Sequence, residues 1–118
     1  MTRPISRLLV PMVLAAVGAC TTQTELYGWG NYEELIYVSY AEPGSLAPEA
    51  QIQAMEQDYQ KMRAANRRAP PGWHAQLGYL YAQAGKPAEA ERELLVEKAA
   101  FPESAVMIDS LLANLRRQ

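Results

Sequence analysis

Prolines and glycines divide this chain into segments that are each long enough for one helix or strand. Proline lacks the amide hydrogen that a helix interior needs, and glycine readily takes the left-handed conformation that ends a helix. From residue 43 onward these breaks fall at Pro43-Gly44, Pro48, Pro70-Pro71-Gly72, Gly85, Pro87 and Pro102. The spacing of apolar residues inside each segment then indicates which kind of element it forms.

The segment from Pro48 to Arg68 predicts a long helix. Pro48 suits a first turn, where its missing amide is not needed. The apolar residues recur at spacings of three, four and three, which places them on one helix face. They are Ile52, Met55, Tyr59 and Met62. Positive charges gather near the C-terminal end, where they offset the helix dipole. They are Lys61, Arg63, Arg67 and Arg68.

Three further helices are predicted after residue 72. They run from Trp73 to Ala84, from Pro87 to about Ala100, and from about Glu103 to Arg116. Gly85 fits the end of the first helix, and Pro102 stops the second from beyond its end. We expect the last helix to bury its large apolar residues. These are Val106, Ile108, Leu111, Leu112 and Leu115.

The segment from Tyr27 to Tyr40 predicts the first helix. Asn31 and Glu34 stand three residues apart, which is the spacing of a capping pair, so a helix from Tyr32 to about Glu42 is expected. A strand is the alternative, because the β-branched residues and tyrosines of this segment favour one. Helix is preferred because no partner strand is evident.

The aromatic residues of this first segment have two possible roles. They are Tyr27, Trp29, Tyr32, Tyr37 and Tyr40. Aromatic side chains dominate small cores, which favours packing around the first helices. Trp and Tyr are also frequent hot spots, which favours an exposed anchor for a partner. Both roles stay open.

No segment alternates between apolar and polar residues strictly enough to require a sheet. The sequence therefore predicts an all-α domain over residues 27–118, in the form of a small bundle of four to five helices. One domain of this size suits the length of the chain.

The residues from Leu77 to Pro102 resemble one tetratricopeptide repeat, a helix hairpin of about 34 residues. Gly78 and Ala90 are small where the two helices of such a hairpin cross closely. The full set of matching positions is Leu77-Gly78, Tyr81, Gly85, Glu89-Ala90 and Pro102. Two positions depart from the repeat: His74 takes the usual Trp position, and Glu97 stands where a small residue is expected. A single repeat cannot bury its own apolar face, so the other helices must cover it.

Residues 1–19 resemble a lipoprotein signal peptide. Arginines precede an apolar run of about ten residues. That run is too short for a membrane span, which needs roughly 20. Small residues then stand directly before Cys20, as in a bacterial lipobox. This predicts cleavage between Ala19 and Cys20 and a diacylglycerol group on the Cys20 thiol. An ordinary cleaved signal followed by a chance cysteine is the alternative.

Residues 20–26 are then the lipidated N-terminus and a short polar tether. In Gram-negative bacteria an Asp after the lipidated cysteine typically retains a lipoprotein at the inner membrane. Residue 21 is Thr, so resemblance to that rule predicts the outer membrane, with the domain facing the periplasm.

The charge balance excludes some partners. After Cys20 the chain has nine basic and thirteen acidic residues, a net charge of −4. Nucleic acid requires clustered Lys and Arg, so we expect no nucleic-acid partner. The sequence also shows no polybasic run that would attract anionic lipid. With a single cysteine, no internal disulfide can form.

No pattern of residues predicts catalysis, a metal site or a cofactor. His74 is the only histidine, and no second cysteine is present to join it. The acidic residues early in the helices are expected from the helix dipole. A phosphate-binding loop and a serine nucleophile motif are both missing from the sequence. The chain is therefore not expected to be an enzyme.

The mature chain also resembles a family of small bacterial lipoproteins of unassigned function. The matching segments are Trp29-Gly30-Asn31-Tyr32-Glu33, Leu77-Gly78 to Gly85, and Glu97 to Ser104. The resemblance covers about residues 8 to 115. It implies an outer-membrane address and a gene neighbourhood that contains a lipoprotein similar to the curli secretion channel.

These features together predict a lipid-anchored interaction module of the cell envelope. Its partners would be the membrane, through the anchor, and another envelope lipoprotein or protein complex. The residues expected to bind a partner are Trp29, Tyr32, Trp73, Leu77 and Tyr81. A module that binds a peptide or a peptidoglycan fragment in the groove beside the last three residues is the alternative. The oligomeric state is not predicted.

Overall fold

The computed structural model describes residues 25–118, which contain the whole of the predicted helical domain. The predicted signal peptide, the cleavage and lipidation site at Ala19 and Cys20, and most of the tether lie outside the described residues.

The described part of the chain forms five α-helices joined by short connections. They are α1 (Tyr32–Ala41), α2 (Pro48–Ala64), α3 (Trp73–Gln83), α4 (Pro87–Ala100) and α5 (Ala105–Leu115), with a single 3₁₀ turn at Pro102–Ser104 before α5. The β structure in these residues is one isolated parallel bridge between Tyr27 and Arg68. The all-α prediction is confirmed, and the strand alternative for the first segment is wrong.

The helix predicted to end at Arg68 ends at Ala64. Asn66 takes a positive φ of 53°, a left-handed conformation that closes the last turn as glycine often does. The amide of Arg67 then donates to the carbonyl of Met62 over 2.9 Å. Arg67 and Arg68 therefore leave the helix and run beside residues 26–28.

The capping role predicted for Asn31 and Glu34 is also wrong. The Asn31 side chain makes no capping bond at the start of α1. Its backbone amide donates to the Asp58 carboxylate over 2.7 Å, and its side-chain amide to the same carboxylate over 3.4 Å. Asp58 is buried on α2. The beginning of α1 is thus attached to a neighbouring helix instead of capping itself.

Two buried clusters form the core, and α3 contributes to both. The larger one joins α1, α2, α3 and α4. Its largest members are Leu35, Ile52, Met55, Met62, Trp73, Leu77, Leu80 and Tyr81. The smaller one joins α3, α4 and α5 through Ala75, Leu94, Ile108 and Leu112. Of the residues expected to be buried on α5, Ile108 and Leu112 are buried, and Leu111 and Leu115 are partly buried. Val106 lies on the side of the helix that faces solvent and is 87% exposed.

The close crossing predicted between α3 and α4 is present. A Cβ atom added at Gly78 would lie 3.1 Å from the carbonyl oxygen of Ala90 and 3.1 Å from Cγ of Leu94. Ala90 itself is fully buried. The two helices therefore pack backbone to backbone at this point, and only small residues fit.

Within residues 25–118, no helix has both the length and the apolar content that crossing a membrane requires.

Replacement of Gly78 by leucine tests this crossing. Gly78→Leu forces α3 and α4 apart, so we expect the free energy of unfolding to fall by about 1–3 kcal/mol or more. Urea denaturation followed by far-UV circular dichroism measures the change. Ala113→Leu, on the exposed side of α5, is the matched control and should stay within about 0.5 kcal/mol of wild type. An unchanged stability for Gly78→Leu would contradict the close crossing.

Candidate functional site

Two faces of α3 line two separate grooves. Trp73, His74, Leu77 and Tyr81 line one of them, and Ala75, Gln76, Tyr79, Leu80 and Gln83 line the other. The position of this helix therefore shapes both of these concave surfaces.

The first groove, which we name the polar groove, lies between α2, α3 and α4 and has a volume of about 530 Å³. Its walls carry the glutamines and Glu56 of α2 on one side and Arg92, Glu93 and Val96 of α4 on the other. Trp73, Leu77 and Tyr81 are almost fully buried beneath it. They form its floor and expose little surface of their own.

His74 is held rigidly at one side of the polar groove. Its Nδ1 lies 2.8 Å from Oε2 of Glu93. Its ring packs edge-on against Trp73, with ring centroids 5.0 Å apart, and against Tyr59 at 5.4 Å. The partner carboxylate comes from α4, which is why spacing along α3 gave no sign of it. The residues that line this groove include no Ser, Thr or Cys nucleophile for the imidazole to activate.

Tyr81 is the second polar group of this groove. Its hydroxyl donates to the carboxylate of Glu56 across the α2–α3 contact. Burial, together with this bond and the negative charge of Glu56, raises the pKa of Tyr81 to about 12. Because the folded pKa is raised, this stabilisation is complete below about pH 10 and is lost only as the pH rises toward 12. At neutral pH the hydroxyl is a fixed donor.

Glu97 is the residue that sequence reasoning missed. Its side chain is 1% exposed, yet its carboxylate accepts backbone N–H groups from Gly72 at 2.6 Å, His74 at 3.2 Å and Ala75 at 3.4 Å. These amides lie at the start of α3, where backbone N–H groups have no acceptor within the helix itself. The N-cap residue is Gly72, which has no side chain to cap the helix. Glu97 of α4 supplies the missing acceptor.

A signal for this role was present in the sequence. Glu97 stands where the repeat expects a small residue, and the predicted start of α3 lacks a Ser, Thr, Asp or Asn cap. Together, the missing cap at the start of α3 and the unexpected carboxylate at Glu97 indicate a capping bond between two helices. The charge of Glu97 also affects Tyr32. The pKa of Tyr32 is raised mainly by burial and, to a smaller extent, by the negative charge of Glu97.

The second groove, which we name the tyrosine groove, lies between the end of α1, the loop before α2, α3 and α5, with a volume of about 630 Å³. None of the residues that line it is charged. Its rim carries exposed Tyr40 (81%), Tyr79 (52%) and Met107 (51%). Leu46, Leu80 and Leu111 line its interior. The surface is therefore uncharged: leucines line its interior, and glutamine side chains and tyrosine hydroxyls supply its polar groups.

Hydrogen bonds fix the α1–α2 side of the tyrosine groove. The hydroxyl of Ser39 lies 2.9 Å from Oε1 of Gln51 and 2.7 Å from the carbonyl oxygen of Leu35, and these two acceptors share its one hydrogen. The side-chain amide of Gln51 donates to the carbonyl of Leu46 over 2.9 Å. These bonds hold the loop between α1 and α2 in place, so this wall of the groove is already formed in the free protein.

The five residues predicted to bind a partner lie in two places. Trp73, Leu77 and Tyr81 come together beneath the polar groove. Trp29 and Tyr32 stack on each other, with centroids 6.4 Å apart, at the start of α1 and line neither groove. The aromatic segment is divided between the two environments: Tyr27 and Tyr32 are half-buried, whereas Tyr37 and Tyr40 are exposed. A partner-binding role for the exposed tyrosines stays a prediction.

In the part of the chain that the structure describes, no group of three or more His, Cys, Asp or Glu side chains is placed to hold a metal ion. No buried side-chain N or O atom within residues 25–118 lacks a hydrogen-bond partner.

A protein family described as a domain of unknown function (DUF4810) matches residues 26–111, and the chain belongs to this family. The match includes all of α1 to α4 and most of α5. No curated protein and no solved structure matches the chain.

Removal of the Glu97 carboxylate tests its role in holding α3. Glu97→Ala leaves several backbone amides buried without acceptors, so we expect the free energy of unfolding to fall by about 3 kcal/mol. Glu97→Gln keeps one acceptor oxygen and should lose less. Glu103→Gln, which changes an exposed residue after α4, is the control and should be close to wild type. Equal stabilities for Glu97→Ala and Glu103→Gln in urea denaturation would contradict the capping role.

Proposed function

We propose that this protein is a lipid-anchored module of the bacterial envelope that binds another envelope protein through the tyrosine groove. The observation that carries this proposal is an uncharged groove with Tyr40, Tyr79 and Met107 exposed along its rim. Tyrosine is enriched among the residues that contribute most to protein interfaces, because its ring adds apolar contact and its hydroxyl a hydrogen bond.

The chemistry of the groove favours a protein segment over other ligands. An uncharged surface attracts neither the phosphates of nucleic acid nor a multiply charged small molecule. An uncharged groove of about 630 Å³, with leucines in its interior and an open rim, fits the apolar side of a helix or an extended segment. The partner therefore presents apolar side chains to this surface.

The location in this proposal comes from the sequence. The apolar run and Cys20 support lipidation, and Thr21 supports sorting to the outer membrane. Three acyl chains, which the lipobox resemblance implies, would hold the protein far more firmly than one chain does. Confinement to one membrane raises the effective concentration of the module, so a modest affinity for its partner is enough.

The identity of the partner rests on resemblance. Lipoproteins of the kind that this chain resembles occur beside a lipoprotein similar to the curli secretion channel, and we propose a protein of that kind as the partner. The α3–α4 hairpin, with Gly78 and Ala90 at its crossing, supports a tetratricopeptide-like element whose role is protein binding.

A second candidate function is supported by the polar groove. Its volume of about 530 Å³ and its polar walls suit a short peptide or a peptidoglycan fragment. Glu56 and Glu93 are each engaged by a neighbouring side chain, so a ligand would compete with these bonds. We therefore rank this function second. The chain is proposed to be a binding protein, without enzymatic activity.

The anchor is tested by Cys20→Ser. Without the thiol the lipid cannot be attached, so we expect an uncleaved precursor or a soluble protein where the wild type fractionates with the outer membrane. Membrane fractionation and the mass of the mature N-terminus measure this. If Cys20→Ser still fractionates with the outer membrane, lipidation at this residue is not what holds the protein there.

The tyrosine groove is tested by capture from detergent-solubilised envelope. Wild type should retain a stable protein partner, and the double variant Tyr40→Ala, Tyr79→Ala should lose it, because hot-spot residues contribute about 2 kcal/mol or more each. Tyr37→Ala removes another exposed tyrosine of α1 that lines neither groove and is the control. If the double variant retains the partner, the interface lies elsewhere. Enrichment of peptide or glycan alone would favour the second candidate.

A further inference from the structure

We propose that one end of the domain binds the phospholipid surface of the membrane that carries the anchor. We name it the basic end; it consists of Leu26, Trp29, Lys61, Arg63, Arg67 and Arg68. The inference deepens the proposed function and rests on its lipid anchor for the location of the protein. It goes further because an anchor alone leaves the orientation of the domain free.

The sequence concentrates positive charge at this end. No carboxylate occurs in the chain between Asp58 and Glu89, and most of the cations of that stretch lie between residues 61 and 68. All four of these Lys and Arg residues are exposed. Lys61 and Arg63 lie in the last turn of α2, and Arg67 and Arg68 follow just beyond the end of the helix.

The fold joins this charge to the segment that leads to the anchor. The amide of Gly28 donates to the carbonyl of Arg68 over 2.8 Å, and Tyr27 forms the parallel bridge with the same residue. The guanidinium of Arg67 lies 2.9 Å from the carboxylate of Glu25. Residues 25–28 therefore lie directly beside the end of α2.

The length of the tether keeps this end near the membrane. Six residue steps separate Cys20 from Leu26, and a fully extended chain spans at most about 3.3–3.6 Å per residue. Leu26, where the chain enters the basic end, therefore cannot lie more than about 22 Å from the lipidated residue. No other surface of the domain is attached to the anchor by so short a segment.

The exposed apolar residues at this end suit the interfacial region of a bilayer. Leu26 is 62% exposed and Trp29 is 43% exposed. The indole of Trp29 is held in place by an edge-on contact with Tyr27 and by stacking on Tyr32. Tryptophan is enriched at the level of lipid headgroups, and arginine and lysine bind their phosphates.

Acidic neighbours limit the electrostatic attraction. Asp58 is buried and bonded to Asn31 and Lys61, and Glu25 is paired with Arg67. Arg63 and Arg68 have no carboxylate partner within residues 25–118, whereas Glu33 and Glu34 are exposed in the first turn of α1. The contact therefore depends on the two arginines together with Leu26 and Trp29, and not on a high net charge.

Fluorescence of Trp29 tests the proposal without the anchor. The complete mature chain carrying Cys20→Ser is mixed, at low salt, with vesicles of equal parts phosphatidylcholine and phosphatidylglycerol that contain brominated acyl chains. Trp73 is almost fully buried, so the quenched emission should come from Trp29. We expect quenching in these vesicles, weaker quenching in pure phosphatidylcholine, and loss of quenching in Trp29→Phe.

Charge variants separate this surface from general attraction to lipid. Arg63→Gln with Arg68→Gln should lower the partition coefficient for the mixed vesicles by about fivefold per arginine. Lys86→Gln with Arg117→Gln removes two exposed cations from the start of α4 and the C-terminal turn, neither of which lines a groove, and should leave binding close to wild type. Equal effects of the two pairs, or unquenched Trp29 in the mixed vesicles, would overturn the proposal.

Failure of the anchor is recognised separately. It would appear as a wild-type protein with an unmodified Cys20 by mass spectrometry, whereas the vesicle measurement uses a chain that has no lipid. If the wild type is lipidated but its Trp29 is unquenched in vesicles of the same composition, the anchor is correct. The proposal that the basic end binds the phospholipid surface is then wrong.

Discussion

The bonds between the Glu97 carboxylate and the first turn of α3 fix the position on which the rest of this domain depends. They join α4 to α3 at the start of α3, while the contact between Gly78 and Ala90 joins the same helices further along. Two attachment points along one helix determine its direction, and both grooves are lined by α3. A buried carboxylate is costly to remove from water, and here that cost is offset by backbone amides that would otherwise lack partners.

A second attachment links the other half of the domain. Asn31 bonds to Asp58 near the end of α2, and Ser39 bonds to Gln51 near its start, so α1 and α2 run antiparallel. Both of these bonds use polar groups that are wholly or partly buried. Such bonds are directional, and they fix the register of two short helices more strictly than apolar contact does. The loop between α1 and α2, which forms one wall of the tyrosine groove, is defined by this register.

Local chemistry determined most of the helix boundaries, which is why they could be predicted from the sequence. Proline and glycine act within one or two residues, so α3 and α4 lie within a residue of their predicted limits. The failures involve contacts between distant residues. Asn31 has the side chain and the spacing of a cap, but Asp58, 27 residues away, binds it instead. α2 ends early because Asn66 adopts a left-handed conformation, and no proline or glycine in the sequence predicts this end.

The candidate sites show the same limit. Trp73, Leu77 and Tyr81 lie on one helix at helical spacing, so their common groove could be predicted. The rim of the tyrosine groove comes from α1, α3 and α5, and the sequence gives no spacing that relates Tyr40 to Tyr79 or Met107. Glu97 of α4 likewise caps the start of a different helix, α3. Surfaces built from several elements become visible only when the elements are packed together.

The two proposed contact surfaces lie at opposite ends of α2. This helix contains 17 residues, so at about 1.5 Å per residue it is about 25 Å long. Pro48 and Gln51 at its start line the tyrosine groove, and Lys61 and Arg63 at its end belong to the basic end. With the basic end on the membrane, α2 acts as a spacer that holds the tyrosine groove away from the lipid. A partner that binds there needs an apolar segment at a similar height above the bilayer. Such a height requirement selects partners by geometry as well as by affinity, which a freely rotating anchored domain could not do.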